Sequence, residues 1–426
     1  MSASRASSPD TLSTDEIARR VGSAVGAERI RVPDGRAAEA VQVLVEPGDT
    51  AELAEVVRGC ERDRLALAPV GAARTLSEIR PRPVALGVSL SRLGRVLAYE
   101  QQDLTITVEA GLSVGALNRA LAASHQRLPV DPADPDATAV GALIGAAHAG
   151  PLRLSEGTVR DLLIGIRYVG QQGRSVRGGG RVVKNVAGYD LMKVLGGSFG
   201  TLGIVTEASF KVRPIPEHYA LGSLSFDRAE ELFATARQLS DSLPLAHLEG
   251  LSAAAARACG FSDRLQLVAG IAGSSSEVAS LRDAIARAAP GAAFIEGEAA
   301  ATAYVRLRDF DATAWPLAGQ MAVAPARLES ILAAGDAQYV AHLGSGVAKL
   351  FLVRPPADAR VTIDGWRQAA QRAGGHLRIL HADRSLRCSA EFFDTPAGGA
   401  LRLMRRLKAA FDPAGVFNPG CFVGGI

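Results

Sequence analysis

The chain has 426 residues, 48% of them hydrophobic and 21% charged, which suits a globular protein with more than one core. A formal net charge of +3 without a Lys/Arg run argues against a dedicated nucleic-acid binder, since such proteins gather basic residues into a patch or stripe. The four cysteines (Cys60, Cys259, Cys388, Cys421) lie far apart, which excludes CxxC-type zinc and iron–sulfur spacings and a disulfide framework, and fits a reducing compartment.

Residues 1–10 are polar and Ser/Ala-rich, so no signal peptide is read, and no run of about 18 apolar residues marks a transmembrane segment. The expectation is a cytoplasmic protein. Residues 14–25 read as a short helix with Thr14 as its cap. Residues 41–46 (VQVLVE) are a buried strand stopped by Pro47 and Gly48, and 50–62 a helix with Leu53, Val56 and Val57 on one face. A strand at 65–68 runs into the small-residue loop 69–76, a junction able to present backbone N–H groups to an anion. Strands follow at 84–86, 95–99 and 104–109, then a helix at 114–123 and an Asp/Pro loop at 131–136. Residues 138–150 (TAVGALIGAAHAG) are either a tightly packed helix or backbone held close to a ligand. Strands at 162–169 and 174–177, joined by Gln171, Gln172 and Gly173, form a hairpin.

Glycine is densest between Gly178 and Pro216, a stretch that closes with an alternating strand at 203–210. Such density marks backbone that turns through positive φ or lies against something flat or anionic. Beyond Pro216 the chain becomes Ala/Leu-rich. Strands at 220–226, 248–252, 265–271 and 348–353 alternate with helices at 229–242, 278–288, 326–334 and 365–373, a pattern of helices layered on an antiparallel sheet. Residues 401–410 form an amphipathic helix before FDPAGVFNPGCF.

Three loops, 69–76, 138–150 and 196–204, have the small residues needed to bring several N–H donors to a pyrophosphate, and their order with strands between them points to a dinucleotide. Residues 196–200 also match G-x-S-x-G around Ser198, but a strand follows where a hydrolase needs a helix. Gly178, Gly179 and Gly180 with Lys184 are not a Walker motif, because no Gly-Lys-Ser/Thr follows. Asn185 and Asp190 read as ligand contacts or as turn caps, Tyr189 as a core aromatic, and Arg160 with Asp161 as an ion pair or a ligand contact. His148, inside an apolar run, reads as a structurally satisfied histidine. His376 and His381 lack a third ligand, so no metal site is expected.

The segments GTVRDLLIGIRYV (157–169), KNVAGYDL (184–191), GSFGTLGIVTEASFKV (197–212) and FDPAGVFNPG (411–420) resemble, in order and spacing, the vanillyl-alcohol-oxidase type of FAD-binding family. Within it they are most similar to the FAD-binding E subunits of bacterial glycolate oxidases. The resemblance covers most of residues 40–216 and the C-terminus. It implies an α+β fold with a two-subdomain FAD-binding module, an α+β cap domain and a C-terminal tail returning to the flavin domain. The corresponding boundaries are 1–34 for an N-terminal tail and short helix, 35–216 for the FAD-binding domain, 217–400 for the cap or substrate domain and 401–426 for the tail.

Carried over by position, the resemblance implies that Val70, Gly71, Ala72, Ala73, Arg74 and Thr75 meet the pyrophosphate. Gly141, Ala142 and Gly145 would lie along the cofactor, with Gly150 closing that stretch and Asn185 joining the site. Gly200, Thr201, Leu202, Gly203, Ile204 and Val205 would meet the adenine half, and Asn418 would lie near the ring end. The first loop has no His or Cys, so the FAD is expected to be non-covalent. Relatives carry three glycines where this chain has Gly71, Ala72 and Ala73, a Thr and a Gly-Gly pair where it has Ala139, Gly141 and Ala142, and an Arg where it has Cys421. Their cap-domain Trp-Arg pair has no counterpart near Gln320 and Met321.

The resemblance further implies oxidation of a small 2-hydroxy acid, hydride passing from the α-carbon to the flavin while a base takes the hydroxyl proton. Arg306, Arg308 and Arg378 are the candidate cations for the substrate carboxylate, and His376 the candidate base. Two partners are implied, a second FAD subunit and an iron–sulfur subunit that passes electrons on, and any attachment to the inner membrane would come through them. The alternative is a non-catalytic assembly subunit with the same fold and weak or no FAD binding.

Overall fold

Short strands with buried faces build the first half of the chain around one core. The computed structural model describes residues 12–71, 83–180, 190–383, 386, 391–396 and 398–426. Strands β1 (Ile30–Arg31), β2 (Val41–Val45), β3 (Leu67–Pro69) and β4 (Val84–Val88) form a sheet in the order β1-β2-β4-β3, with β2 and β3 parallel to β4. The crossover from β2 to β3 is helix α1 (Thr50–Asp63). Asp49 starts it by accepting from the N–H groups of Ala51 and Glu52, and Arg64 ends it in the left-handed conformation. Its apolar face of Leu53, Val56, Val57 and Cys60 is buried. The preceding helix is capped by Ser13, whose hydroxyl accepts from the Glu16 N–H, one residue before the Thr14 expected from the sequence.

Strands β5 (Val96–Glu100), β6 (Thr105–Glu109), β8 (Leu163–Val169), β9 (Ser175–Gly179) and β10 (Ile204–Lys211) form an antiparallel sheet in the order β5-β6-β10-β8-β9. A small pair, β7 (Gln126–Arg127) and β11 (Arg213–Pro214), borders it. Helix α2 (Val140–Ala146) ends at Ala147, in left-handed conformation. One apolar cluster spans both sheets and includes Leu86, Ile106, Val108, Ile144 and Phe210.

The second half is an eight-stranded antiparallel sheet. It comprises β12 (His218–Phe226), β13 (His247–Leu251), β14 (Leu265–Gly273), β15 (Ala293–Glu296), β16 (Leu317–Ala322), β17 (Gln338–His342), β18 (Val347–Leu352) and β19 (His376–His381). Their order is β15-β12-β14-β13-β17-β18-β16-β19. Helices including α3 (Gly297–Arg308) pack on it, and it has its own core around Leu232, Ile271, Met321, Leu350 and Leu377. This is the expected helix-on-sheet layering.

The C-terminal tail returns to the first module. After α4 (Ala400–Phe411), the Leu67 N–H donates to the Val416 carbonyl at 2.8 Å and the Asn418 N–H to the Leu67 carbonyl at 2.7 Å. Lys408 Nζ donates to the carbonyls of Thr201 and Phe417, each at 2.7 Å, and to the Asp412 carboxylate at 2.6 Å. Asp412 in turn accepts from the N–H groups of Val416 and Phe417. Phe417 belongs to the first core and Cys421 to the second, so the tail stitches the two together.

Candidate functional site

Small residues meet where β3, α2 and the turn before β10 converge, leaving a cleft of about 270 Å³. Val70 and Gly71 line it after β3, Gly141, Ala142 and Gly145 along α2, and Gly200, Gly203, Ile204 and Val205 on the turn. Close packing dictates two of these glycines. Gly200 has φ +71° and a Cβ there would lie 2.4 Å from Pro69 Cγ, while at Gly203 it would lie 2.8 Å from the Tyr168 ring. Gly145 differs, because a Cβ built there meets no protein atom within 4 Å and points into open space along the cleft.

The remaining expected cofactor contacts are placed as follows. Thr201 and Leu202 are buried behind the turn, the Thr201 hydroxyl donating to the Ser198 carbonyl. Asn418 is buried and donates from Nδ2 to the Phe199 carbonyl at 2.6 Å, which braces the turn. Gly150 lines a second, wider cavity, and a Cβ there would collide with the Asp131 carbonyl at 2.2 Å. Ala72, Ala73, Arg74, Thr75 and Asn185 lie outside the described residues. Ser198 sits in a turn that leads into β10, so the elbow of a hydrolase is absent. Asp190 caps a short helix by accepting from the Lys193 N–H.

The cleft shares Ala146 and Phe199 with the wider cavity, of about 1060 Å³, which lies between the two modules. One wall is the segment after α2, including His148. The other is a polar row across the second sheet. Gln320 on β16 is paired with Arg378 on β19 and with Lys349 on β18, and all three line the cavity. Arg378 donates from Nη2 to Gln320 Oε1 at 3.2 Å, and its guanidinium carbon is 5.8 Å from the centre of the Phe199 ring. Its Nε is buried without a partner among the described residues, and burial brings its pKa down to about 10. Lys349 Nζ donates to the Phe310 carbonyl at 3.1 Å, and burial lowers its pKa too. Burial, and then the charges of Arg378 and Lys349, push His148 down to about 4, so its ring is neutral at pH 7.

His342, at the end of β17, also lines the cavity. Its Nδ1 is 2.6 Å from Oε2 of the buried Glu249, directly opposite it on β13. A carboxylate there accepts a hydrogen bond from Nδ1–H, which leaves Nε2 as the basic nitrogen. Behind His148, the buried Asp131 accepts from the Gly150 and Leu152 N–H groups and from the Tyr304 hydroxyl of α3. That carboxylate therefore ties the cavity wall of the first module to the second, and its burial raises its pKa.

Of the expected catalytic residues, Arg378 is on the cavity wall. His376 is exposed at its edge, two residues earlier on the same strand. Arg308 lines the cavity with its guanidinium held by Asp309 at 2.7 and 2.8 Å. Arg306 is a correction: its guanidinium packs over Gly260, away from the cavity, because residues two apart on a helix point to opposite sides. His148, expected to be purely structural, faces the cavity. Sequence reading missed Gln320, Lys349, His342 and Glu249. Gln320 and Lys349 are lone polar residues inside apolar strands, and that pattern was the available sign; Glu249 shares β13 with His247, and His342 ends β17, which begins with Gln338.

Residues 41–179 match the family model of the FAD binding domain, and residues 215–421 match that of the C-terminal domain of FAD linked oxidases. The chain belongs to the FAD-linked oxidases. The first match falls within the first module and the second spans the second module and most of the tail, and FAD is the cofactor. Glycolate oxidase subunit GlcE of Escherichia coli is 29% identical over 332 residues, covering 76% of this chain and 83% of that protein. Glycolate oxidase subunit GlcD of Bacillus subtilis is 33% identical over 175 residues, 41% of this chain and 37% of that one. The mitochondrial D-lactate dehydrogenase (cytochrome) of Arabidopsis thaliana is 30% identical over 198 residues, 45% of this chain and 35% of that one. Among solved structures, p-cresol methylhydroxylase superposes with a TM-score of 0.70 at 13% identity over 95% of this chain and 96% of its own. The 4-ethylphenol oxidase of Gulosibacter chungangensis gives 0.69 at 17% identity over 97% and 98%. The FAD-binding α+β fold expected from the sequence is thus the fold of this family.

The residues present fit that cofactor. The cleft walls are backbone and small side chains, and Gly145 leaves the open path a flat, elongated group needs.

Proposed function

We propose that this chain is the FAD-binding subunit of a glycolate-oxidase-like dehydrogenase complex that oxidises a small 2-hydroxy acid. The observation carrying this reading is the position of Arg378 and Lys349 on the cavity wall, on either side of Gln320, with no carboxylate ion-paired to either among the described residues. Desolvating a cation costs several kcal/mol unless an anion offsets it, so the pair selects an anionic substrate. The guanidinium fork suits a carboxylate in particular. An assembly subunit without catalysis has no use for two such cations on one cavity.

FAD lying along the small-residue cleft, non-covalently, supplies the two-electron acceptor. Arg378 and Lys349 hold the substrate carboxylate and fix its orientation. His342 takes the hydroxyl proton on Nε2, while Glu249, on Nδ1, sets the tautomer and balances the charge gained. Neutral His148 adds no competing charge to this wall. His376, exposed at the edge of the cavity, is left out of this reading in favour of the more enclosed His342.

The relatives named glycolate oxidase subunits and D-lactate dehydrogenase support the substrate class, and the two named subunits support a heteromeric complex. A second FAD subunit and an iron–sulfur subunit complete it in our reading. No helix among the described residues is long and apolar enough to cross a membrane, so attachment to the inner membrane would come through partners. The test is to compare a 2-hydroxy acid with its methyl ester as anaerobic reductant. The acid should reduce the flavin and the ester should fail; equal reduction by both would remove Arg378 and Lys349 from their role.

A further inference from the structure

Glu249 stands between two histidines. Its Oε2 is 2.6 Å from Nδ1 of His342 on the cavity side. Its Oε1 is 3.8 Å from Nδ1 of His247, which lies two residues earlier on β13 and so on the same face. Oε1 of Glu249 and Nδ1 of His247 are both buried, and neither has a hydrogen-bond partner among the described residues. On its other side His247 Nε2 is 2.8 Å from the Tyr219 hydroxyl.

Buried polar atoms without partners are rare, and two facing each other call for a common cause. They are explained if both are acceptors in the resting state: a carboxylate oxygen, and the lone pair of a neutral His247 whose proton sits on Nε2 toward Tyr219. A hydrogen bond between them then forms only when Glu249 itself carries a proton. Burial supports this state of His247, since it pushes that ring down to about 4 and keeps it neutral.

We propose that Glu249 is the store for the substrate's hydroxyl proton, and that His247, held by Tyr219, is the positioning residue that receives the protonated carboxyl. This rests on His342 as the base. The substrate O–H bond breaks and the proton joins His342 Nε2. The Nδ1 proton of His342 moves to Glu249, leaving a neutral histidine and a carboxylic acid. That carboxyl turns and donates to His247 Nδ1, closing a gap of 3.8 Å by about 1 Å. Two protons each move one step, for a net transfer of one from substrate to Glu249; no electrons pass through these residues, and no imidazolium is left facing Lys349 and Arg378.

The test is infrared difference spectroscopy of the FAD-loaded full-length chain, before and after anaerobic reduction by glycolate or D-lactate. A protonated-carboxyl C=O band should appear on reduction, move in D₂O and vanish in Glu249→Gln. His247→Asn and Tyr219→Phe, which leave the carboxyl in place, should shift that band and slow flavin reduction about tenfold, as expected for one lost hydrogen bond. Absence of the band in the unaltered protein, its survival in Glu249→Gln, or an unmoved band in both other variants would overturn the proposal. His342→Gln separates the two levels. If it abolishes reduction while the unaltered protein shows no band, His342 is the base and the store is wrong; if it reduces flavin normally, the base itself is wrong.

Discussion

Arg378 and Lys349 each stand directly opposite Gln320, on the two strands that flank it. Neighbouring strands are about 4.8 Å apart, so the two cations are anchored on the order of 10 Å apart with an amide between them. Arg378→Gln should therefore lower kcat/KM for anaerobic flavin reduction about 10- to 100-fold, the worth of one charge-assisted hydrogen bond, and leave flavin content unchanged. Lys349→Met should behave alike. Stopped-flow reduction checks both, and loss of flavin instead of rate would assign these residues to the cofactor.

Gly145 and Gly200 predict different failures. Gly145→Val adds bulk to the open path of the cleft and meets no protein atom at Cβ, so it should strip flavin while the thermal midpoint of the flavin-free chain stays within a few degrees. Gly200→Val collides with Pro69 at a positive φ, so it should lose both flavin and stability. Absorbance of the bound flavin and thermal unfolding of the flavin-free variants separate the two.

The sequence made the first module legible because its elements are local. The strand 41–46, the helix 50–62 with its apolar face and the alternating run before Glu109 follow directly from periodicity, and appear as β2, α1 and β6. Residues 138–150 read as a packed helix or as backbone held close to a ligand; α2 accounts for Val140–Ala146, and the residues after it line the cavity. The second module was less legible. A strand such as β16, LAGQMA, has no clean alternation. The site suffered for the same reason. Arg378, Gln320 and Lys349 are brought together only by the strand order β18-β16-β19, a long-range pairing that residue spacing does not encode. Helix phase turns Arg306 away from the cavity, whereas His376, two residues before Arg378 and so on the same face of β19, stands exposed at its edge.

His148 gives a pH prediction. Its folded value of about 4 lies below its ordinary 6.5, so between these the unfolded chain binds a proton that the folded chain does not. Its contribution is intact above 6.5 and is lost as pH falls toward 4. His148→Gln should flatten the fall of stability through that window, measured by denaturant unfolding at several pH values, and leave stability at pH 8 nearly unchanged in slope.

Lys408 ties α4 to the turn before β10 and to the tail through three hydrogen bonds, one of them to the fully buried Asp412. Lys408→Met leaves that carboxylate without its cation and should cost on the order of 3 kcal/mol. Urea denaturation of the flavin-free protein would show it as a lower midpoint.

The most direct measurement is the visible spectrum of the purified full-length chain before and after anaerobic addition of glycolate or D-lactate. The account predicts an oxidised flavin spectrum that bleaches with at least one of these acids and recovers on re-oxidation. A flavin spectrum that persists with both would contradict it, leaving the fold and the cofactor but not the 2-hydroxy-acid chemistry assigned to Arg378, Lys349 and His342.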